Sequence, residues 1–265
     1  MNIFREAIGN LIQFLKSQRT ECDSKANGEG VRVAIIDSGL NRQLLAENHP
    51  DRSKEINQIH GVRFLENSAI PIPDNRMESS PHGTTVADII LRLSPGVQLF
   101  SADVFGARGS CSIQVLYRAI KWAVEEFKVK VINLSLGVPE NQIFSIPIRL
   151  EFERVIQLAY SRDIIIIAAA HNDHPLIKSI PSVLSPSLLS VDKTDTTDPL
   201  YWVYRLCHQI EFQASSRGYY GPFSSEPTTS WAAAHLTGIV CRFLSLYPEM
   251  KPFEIKTFLY WLSKN

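Results

Sequence analysis

Two short runs dominated by apolar residues constrain the fold of this chain more than any other feature. Residues 31–37 have the sequence VRVAIID, and residues 164–170 have the sequence IIIIAAA. Continuous runs of this length, rich in β-branched residues, are typical of strands buried on both faces of a parallel sheet. The first run ends in a carboxylate, and the second continues into His171 and Asn172. We therefore expect polar side chains where two buried strands end.

Helix-like segments alternate with strand-like segments along the rest of the chain. Apolar residues at helical spacing predict helices at residues 83–93, 113–127, 147–161, 230–246 and 252–263. Further strands are predicted at residues 97–104, 129–134, 188–191 and 209–214. Strands that alternate with helices form a parallel sheet covered by helices on both faces. The sequence therefore predicts a three-layer α/β fold.

Charge and hydropathy exclude several classes of protein. Lys and Arg total 27, and so do Asp and Glu, so no net charge is available to hold nucleic acid or an anionic membrane. No run of about 18 apolar residues is present, and no membrane-spanning helix is predicted. A length of 265 residues allows one large α/β domain or two small ones.

The N-terminal residues are predicted to form a unit of their own. Apolar residues near helical spacing indicate an amphipathic helix, and Arg5 and Glu6 interrupt any signal-peptide core. We expect a helical extension over residues 1–28, packed on one domain over residues 29–265; an inhibitory or docking segment is the alternative. Four scattered cysteines without a CxxC pair, together with the lack of an export signal, favour free thiols in a cytoplasmic protein.

Three polar residues, in a defined order along the chain, are the candidates for chemistry. Asp37 ends the first strand, His82 precedes a predicted helix, and Ser230 begins another. An acid, a histidine and a serine in this order form one of the known arrangements of a catalytic triad. In such a triad His82 would take the proton of Ser230, and Asp37 would orient His82 and stabilise its charged form. Each residue alone has an ordinary explanation as a helix or turn cap, and their co-occurrence favours catalysis.

Asn172 adds a fourth candidate group. It follows a predicted buried strand, and the loop of Ser135, Leu136 and Gly137 follows another. The carboxyl ends of parallel strands meet at one edge of a sheet, where ligands bind. An amide N–H of Asn172 and the backbone N–H of Ser230 could there form an oxyanion hole.

With these motifs the chain resembles the subtilases, the subtilisin-like serine peptidases, over residues 29–262. The resemblance rests on the segments VAIIDSG, HGTTVADII, VINLSLG, AAAHN and TTSWAAAHLTG. It implies the three-layer fold, the triad of Asp37, His82 and Ser230, and Asn172 as oxyanion donor. It also implies that Ser135, Leu136 and Gly137 bind the substrate peptide in an extended conformation.

Two residues depart from the pattern of this family. His171 and Thr228 stand where subtilases usually have glycines that line the pocket for the residue on the acyl side of the cut. Together with the neighbouring Ala170 and Thr229, they are predicted to contact the substrate. We expect their side chains to narrow the pocket and to favour small or acidic residues. The alternative is a pocket that stays blocked until a partner or the substrate moves it, or a pseudoenzyme.

No metal or cofactor is predicted. The cluster of His171, Asp173 and His174 fits no zinc pattern. Secreted subtilases usually carry a signal and a long propeptide, so the short extension leads us to expect an intracellular enzyme; a domain excised from a larger protein is the alternative. The predicted function is a serine endopeptidase that cleaves a specific peptide or protein, in precursor or leader processing or in regulatory cleavage. A catalytically silent peptide-binding domain, acting as scaffold or regulator, is the alternative. Besides the peptide or protein substrate, a regulatory partner protein is predicted.

Overall fold

The computed structural model describes residues 25–74, 80–106, 109–143, 145–205, 208–219 and 226–263, together with the isolated residues 13 and 17. Most of the predicted N-terminal extension, Cys22 and Cys207 lie outside these residues. Of the two cysteines that are described, Cys111 is half-buried, Cys241 is buried, and both are free thiols. The prediction of an extension over residues 1–28 therefore stays a prediction.

In the described part of the chain, nine strands form one mixed sheet and two strands form a separate pair. The strands are β1 (Arg32–Asp37), β2 (His60–Arg63), β3 (Ile72–Pro73), β4 (Gln98–Asp103), β5 (Val131–Leu134), β6 (Val138–Pro139), β7 (Ile165–Ala169), β8 (Ser179–Ile180), β9 (Leu189–Thr194), β10 (Trp202–Tyr204) and β11 (Phe212–Ser215). The order in the large sheet is β10-β11-β9-β7-β5-β1-β4-β2-β3, and β6 pairs with β8. Strands β10 and β3 are antiparallel to their neighbours at the two edges, and the strands between them are parallel.

Helices cover both faces of this sheet. They are α1 (Arg42–Asn48), α2 (Ser53–Asn57), α3 (Pro81–Leu93), α4 (Ile113–Glu125), α5 (Ile146–Ser161), α6 (Thr229–Leu246) and α7 (Pro252–Trp261), with short 3-10 turns at Pro50–Arg52, Glu140–Gln142 and Ser182–Leu184. Helices α3 and α6 pack on one face, and α4 and α5 pack on the other. No helix within the described residues is long and apolar enough to cross a membrane.

Alternate residues of each central strand belong to two separate cores. In β1, Val33 and Ile35 lie in the core under α3 and α6, whereas Ala34 and Ile36 lie in the core under α4 and α5. This is the two-residue period of a strand whose faces are both covered. The predicted three-layer α/β fold is confirmed.

The predicted strands and helices are present, and one boundary near the candidate site was wrong. The helix predicted to start at residue 83 begins at Pro81, with Ser80 as its N-cap. The Ser80 side chain accepts a hydrogen bond from the N–H of His82, and proline is favoured at the first helical position. His82 therefore lies inside the first helical turn.

The sheet places the candidate residues at one edge. From β1 the chain adds β4 and β2 on one side and β5, β7, β9 and β11 on the other, so the strand order reverses between β1 and β5. Ligands bind beyond the carboxyl ends of the strands at such a switch point. Strands β7, β5 and β1 are neighbours there, and the residues that end or follow them include Asn172, Ser135 and Asp37.

Candidate active site

Asp37 and His82 form a hydrogen-bonded pair at the carboxyl end of β1. Nδ1 of His82 lies 2.9 Å from Oδ1 and 3.0 Å from Oδ2 of Asp37. The side chain of Asp37 is 1% exposed and that of His82 is 27% exposed, so a buried carboxylate supports a ring that reaches the surface. The N–H of Ser38 also donates to Oδ1 of Asp37, at 2.7 Å. A carboxylate at Nδ1 holds the proton there and leaves Nε2 as the acceptor.

Gly83 allows the helix that carries His82 to approach the loop after β1. A Cβ at position 83 would lie 2.3 Å from the carbonyl oxygen of Gly39, which no side chain could tolerate without a backbone shift. Ser38 stabilises this contact between α3 and the loop after β1. Its Oγ accepts a hydrogen bond from the N–H of Gly83 at 3.0 Å and donates one to the carbonyl of Ser80 at 2.9 Å. The His-Gly sequence therefore has a steric cause.

The charge of Asp37 controls the pKa of His82. Burial disfavours the imidazolium and lowers the pKa of His82, but the negative charge of Asp37 and its hydrogen bond raise it by more. The pKa of His82 therefore lies above its ordinary value of 6.5. A raised pKa makes the imidazole of His82 a stronger proton acceptor.

Ser230 lies in the first turn of α6. Thr228 is the N-cap of this helix, and its Oγ1 accepts from the N–H of Trp231 at 3.3 Å, so Ser230 is not there as a cap. Ser230 is 6% exposed. Its hydroxyl donates to the carbonyl of Ser135 at 2.9 Å, and Oγ of Ser135 lies 3.2 Å from the carbonyl oxygen of Ser230. The two serines thus tie the start of α6 to the end of β5.

Trp231 brings this helix against His82. The ring centroids of Trp231 and His82 are 4.9 Å apart, with 34° between the ring planes. Because Trp231 follows Ser230 directly, the contact places Ser230 and His82 on the facing first turns of α6 and α3.

A buried polar network beneath Ser230 fixes the distance between β5 and α6. Oγ of Ser135 lies 2.8 Å from Oδ1 of Asn133, whose Nδ2 donates to Oγ1 of Thr237 at 3.0 Å. Thr237 donates in turn to the carbonyl of Ala233 at 2.8 Å. Asn133 and Thr237 are fully buried, and their mutual bond avoids the cost of unpaired polar groups. Sequence reasoning missed both residues, although a lone Asn in an otherwise apolar strand was a signal.

Asn172 is bound to the residue that precedes Ser230. Its Oδ1 accepts from the backbone N–H of Thr229 at 3.0 Å and lies 3.0 Å from Oγ1 of Thr229. That hydroxyl also lies 2.7 Å from the carbonyl oxygen of Ala170. Because a backbone N–H faces Oδ1, the orientation of the amide is fixed, and Nδ2 with its two N–H groups is the opposite end.

The first turn of α6 carries one N–H group without a partner among the described residues. Of the first N–H groups of α6, that of Thr229 is bound by Asn172 and that of Trp231 is bound by Thr228. The N–H of Ser230 has no partner among the described residues, as is normal for the first turn of a helix. It lies one residue from the N–H of Thr229, to which Oδ1 of Asn172 is bound.

Comparison with known proteins assigns this architecture. The profile of the subtilase family matches residues 28–264. The chain belongs to the subtilase family. Subtilisin amylosacchariticus from Bacillus subtilis subsp. amylosacchariticus is 27% identical over 249 residues, which cover 86% of this chain and 59% of that protein. M-protease from Shouchella clausii (strain KSM-K16) is 29% identical over 248 residues, which cover 88% of this chain and 58% of that protein. The match thus spans less than two thirds of the length of these curated relatives.

Solved structures share the fold of this subtilase. The S41 psychrophilic protease superposes with a TM-score of 0.67 at 21% identity, covering 88% of this chain and 82% of that one. A lanthipeptide protease superposes with a TM-score of 0.64 at 20% identity, covering 91% and 80%. The sequence-based assignment to the subtilases is confirmed.

The loop after β5, which the resemblance assigns to peptide binding, lies beside Ser230 in this subtilase. Ser135 is buried, Leu136 is half-buried and Gly137 is exposed. A Cβ on Gly137 would lie 3.0 Å from the carbonyl oxygen of Ile180, so the glycine lets this loop run close to β8. This loop is therefore exposed at Gly137 and tied to Ser230 at Ser135.

The two residues that replace family glycines both have local partners. Thr228 is half-buried and uses its hydroxyl as the helix cap. His171 is half-buried, and its Nδ1 accepts from the N–H of Asp173 at 3.1 Å. Ala170 and Thr229 are buried behind them. A narrowed pocket stays a prediction.

The histidines after β7 do not converge on a shared ligand. His174 pairs with Asp192 instead, with 2.9 Å between Nδ1 and Oδ2. Among the residues that the structure describes, no group of three or more His, Cys, Asp or Glu side chains could hold a metal ion.

Proposed function

We propose that this subtilase is a serine endopeptidase in which Ser230 is the nucleophile, His82 the general base and Asp37 the group that orients His82. The observation that carries the proposal is the hydrogen bond of 2.9 Å between His82 and the buried Asp37, on a helix turn that faces the turn of Ser230. The proposal covers the activity, the substrate class and the site residues.

In the proposed reaction, Oγ of Ser230 attacks the carbonyl carbon of a peptide bond while its proton passes to Nε2 of His82. The new imidazolium is stabilised by the charge of Asp37. His82 then gives the proton to the leaving nitrogen, the C–N bond breaks, and an acyl-enzyme remains on Ser230. A water molecule that loses a proton to His82 attacks this ester, and the proton returns to Oγ as the acid leaves.

The negative oxygen of the tetrahedral intermediate is proposed to lie between the N–H of Ser230 and Nδ2 of Asn172. Two features support this assignment. The carbonyl end of Asn172 is already held by Thr229, which leaves the donor end for a ligand. The N–H of Ser230 also lies at the positive end of the α6 dipole, which favours a negative oxygen.

The hydroxyl of Ser230 must turn before it can react, because it donates to the carbonyl of Ser135. A peptide that pairs in extended form with the loop from Ser135 to Gly137 brings backbone N–H groups to this carbonyl. We propose that a substrate N–H replaces the hydroxyl as the donor to Ser135, and that the freed hydroxyl then turns toward His82.

The substrates proposed are a limited set of peptides or proteins. Side chains at His171 and Thr228, where subtilases usually have glycine, support a restricted pocket for small or acidic residues. A structural neighbour is described as a lanthipeptide protease, so precursor peptides belong among the substrates to be tested. Cytoplasmic location and a regulatory partner remain predictions from the sequence.

A catalytically silent peptide-binding domain is the second candidate. The observation that favours it is the hydroxyl of Ser230 bound to Ser135 rather than to His82. In that case the same loop would bind peptide, and no acyl-enzyme would form.

Labelling with a fluorophosphonate probe separates the two candidates. We expect the wild type to be labelled and Ser230→Ala to be unlabelled, because the probe needs an activated serine. Ser94→Ala is the matched control, since Ser94 is also buried and donates to one carbonyl, that of Gly238 at 2.8 Å, at the far end of α3. It should keep the label. An unlabelled wild type that binds peptide as well as Ser230→Ala does would favour the silent domain and contradict the proposed peptidase.

A further inference from the structure

Trp231 contacts the proposed base, yet the triad chemistry gives it no part. Its side chain is fully buried. Its indole ring covers one face of His82, with 4.9 Å between the ring centroids. A buried ring in this place can act on the imidazole in both of its charge states.

The position of this indole is fixed by its own hydrogen bonds. Nε1 of Trp231 donates to the carbonyl of Glu226 at 3.1 Å. The backbone N–H of Trp231 donates to the helix cap Thr228, and its carbonyl lies 2.8 Å from Nδ1 of His235. The ring is therefore held both at its polar edge and at its backbone, and it can serve as a rigid wall.

We propose that Trp231 is a positioning residue for His82, which holds one face of the imidazole and stabilises its protonated form. The proposal rests on the proposed function, in which His82 takes a proton from Ser230. It assigns to the residue after the nucleophile a part in the proton transfer that the triad alone does not provide.

Trp231 restricts the orientation of the His82 ring. Asp37 binds the Nδ1 edge of His82, and a ring held at one edge can still swing about that hydrogen bond. The indole of Trp231 lies across one face and blocks that movement on its side. The ring of His82 is thereby confined to orientations from which Nε2 can face the hydroxyl of Ser230.

Trp231 also acts on the charge of the His82 ring. An aromatic face attracts a cation whose centre lies within about 6 Å of the ring centroid. The 4.9 Å contact meets this condition as soon as His82 becomes an imidazolium. The attraction is stronger for the charged state than for the neutral one, so it favours the transition state over the ground state. It also opposes the effect of burial, which disfavours the charged ring.

Among the described residues, the titratable groups around this ring pair are Asp37, His235 and Glu226. Asp37, on β1, acts on the charge of His82, and Glu226 contacts Trp231 through its backbone carbonyl. His235, on α6, meets the carbonyl of Trp231, and burial lowers the pKa of His235 to about 4, so it is neutral where His82 titrates. A change in the titration of His82 after substitution of Trp231 can therefore be assigned to the indole.

Trp202 provides a matched control. It is fully buried in the same core, its Nε1 donates to one carbonyl, that of Leu259 at 3.0 Å, and it packs against Phe243. Trp202→Leu removes as much buried aromatic surface as Trp231→Leu does, but away from His82. An effect of lost packing alone would follow both substitutions.

The decisive experiment is an NMR titration of the His82 ring in the Ser230→Ala background. We expect Trp231→Leu to lower the pKa of His82 by about half a unit, the size of a modest cation–π attraction. Trp231→Phe, which keeps an aromatic face, should restore part of the shift, and Trp202→Leu should leave the pKa unchanged. An unchanged pKa in Trp231→Leu, or an equal shift in Trp202→Leu, would overturn the proposal.

Should Trp231→Leu fail to fold, the folded wild type carries the test through tryptophan fluorescence. The emission of Trp231 is the difference between the emission of the wild type and that of Trp231→Phe. This emission should decrease as His82 is protonated, and His82→Gln should abolish the pH dependence. Emission that does not respond to His82 would contradict the proposal. Neither readout measures cleavage, so each separates failure of this inference from failure of the proposed peptidase activity. In active protein, loss of the indole should lower kcat with little change in KM.

Discussion

The two halves of the candidate site differ in how fully they are assembled. On the side of β1 and α3, His82 already makes its bond with Asp37, and Gly83 and Ser38 fix both elements around it. On the side of α6, the hydroxyl of Ser230 points instead to the carbonyl of Ser135. The half that contains Asp37 and His82 is complete without substrate, and in the other half the hydroxyl of Ser230 must leave the carbonyl of Ser135 for the proposed reaction.

This difference has a physical origin. The pair of Asp37 and His82 gains from its own charge and hydrogen bonds, which offset the burial of the carboxylate. A lone serine hydroxyl gains little by choosing a histidine nitrogen over a nearby carbonyl, because both are ordinary acceptors. In the proposed reaction, a bound peptide that occupies the carbonyl of Ser135 would therefore change the partner of Ser230. Substitutions in each half test this comparison.

The largest effect is expected from Asp37→Asn, which removes the charge from the complete half. We expect kcat to fall by about 10⁴, because the amide favours the wrong tautomer of His82 and no longer stabilises its charged form. The measurement is kcat and KM on a cleavable peptide. Asp88→Asn is the matched control, since Asp88 is fully buried and also binds a histidine, His49, at 2.8 Å. It should cost stability and leave kcat of the folded protein close to the wild type.

The same substitution has a pH signature. Because Asp37 holds the pKa of His82 above 6.5, kcat/KM of the wild type should rise with pH through an apparent pKa above that value. Asp37→Asn should move this limb to lower pH. The linked stability has the opposite course: the raised pKa stabilises the fold below about pH 6.5, and this contribution disappears as pH rises through the folded-state value. A pH profile that does not respond to Asp37 would contradict the role given to the pair.

Asn172→Ala, which changes the α6 side of the site, should have the next largest effect. Loss of one oxyanion donor costs roughly 10²–10³ in kcat, a magnitude known from subtilisin, to which this chain is related. KM should change little, since the donor acts on the transition state. Thr229→Val separates donation from placement, because it removes a hydroxyl contact of Asn172 and keeps the backbone N–H that binds Oδ1. The decrease in kcat should be smaller for Thr229→Val than for Asn172→Ala. Equal decreases in both variants would indicate that Asn172 acts only by placing the loop.

Sequence patterns predicted the elements that local periodicity encodes. The buried runs of β1 and β7 and the amphipathic helices are readable because apolar residues recur at the period of the element. The triad candidates were found because motifs lie next to those elements. Short elements such as α1, α2 and β2 were missed, since helices of seven residues or fewer span about two turns and β2 (HGVR) has no continuous apolar run.

Contacts between distant segments lay beyond sequence reasoning. The bond from Ser230 to Ser135 joins residues 95 positions apart, and the one from Asn133 to Thr237 joins residues 104 positions apart. Such pairs depend on the three-dimensional placement of helix on strand, which no local window contains. The direction of the Ser230 hydroxyl and the stacking of Trp231 on His82 are consequences of that placement.

Gly83→Ala should have the smallest effect of the three substitutions. It tests whether the close approach of α3 to the loop after β1 is what holds His82 against Asp37. The added Cβ would lie 2.3 Å from the carbonyl oxygen of Gly39, so α3 must move away from the loop after β1. We expect a loss of about 1–3 kcal/mol in the free energy of unfolding, measured by urea denaturation. The displaced helix should also lengthen the bond from His82 to Asp37 and lower kcat by about tenfold.

Gly61→Ala is the control for this test. A Cβ at Gly61 would lie 2.8 Å from Nη2 of Arg42, the mobile end of a long side chain that can move aside. It should cost far less stability and leave kcat unchanged. If Gly83→Ala is as harmless as Gly61→Ala, the approach of α3 to the loop after β1 is not what holds His82 against Asp37. The difference between the two halves would then rest on the hydrogen bond and charge of this pair alone.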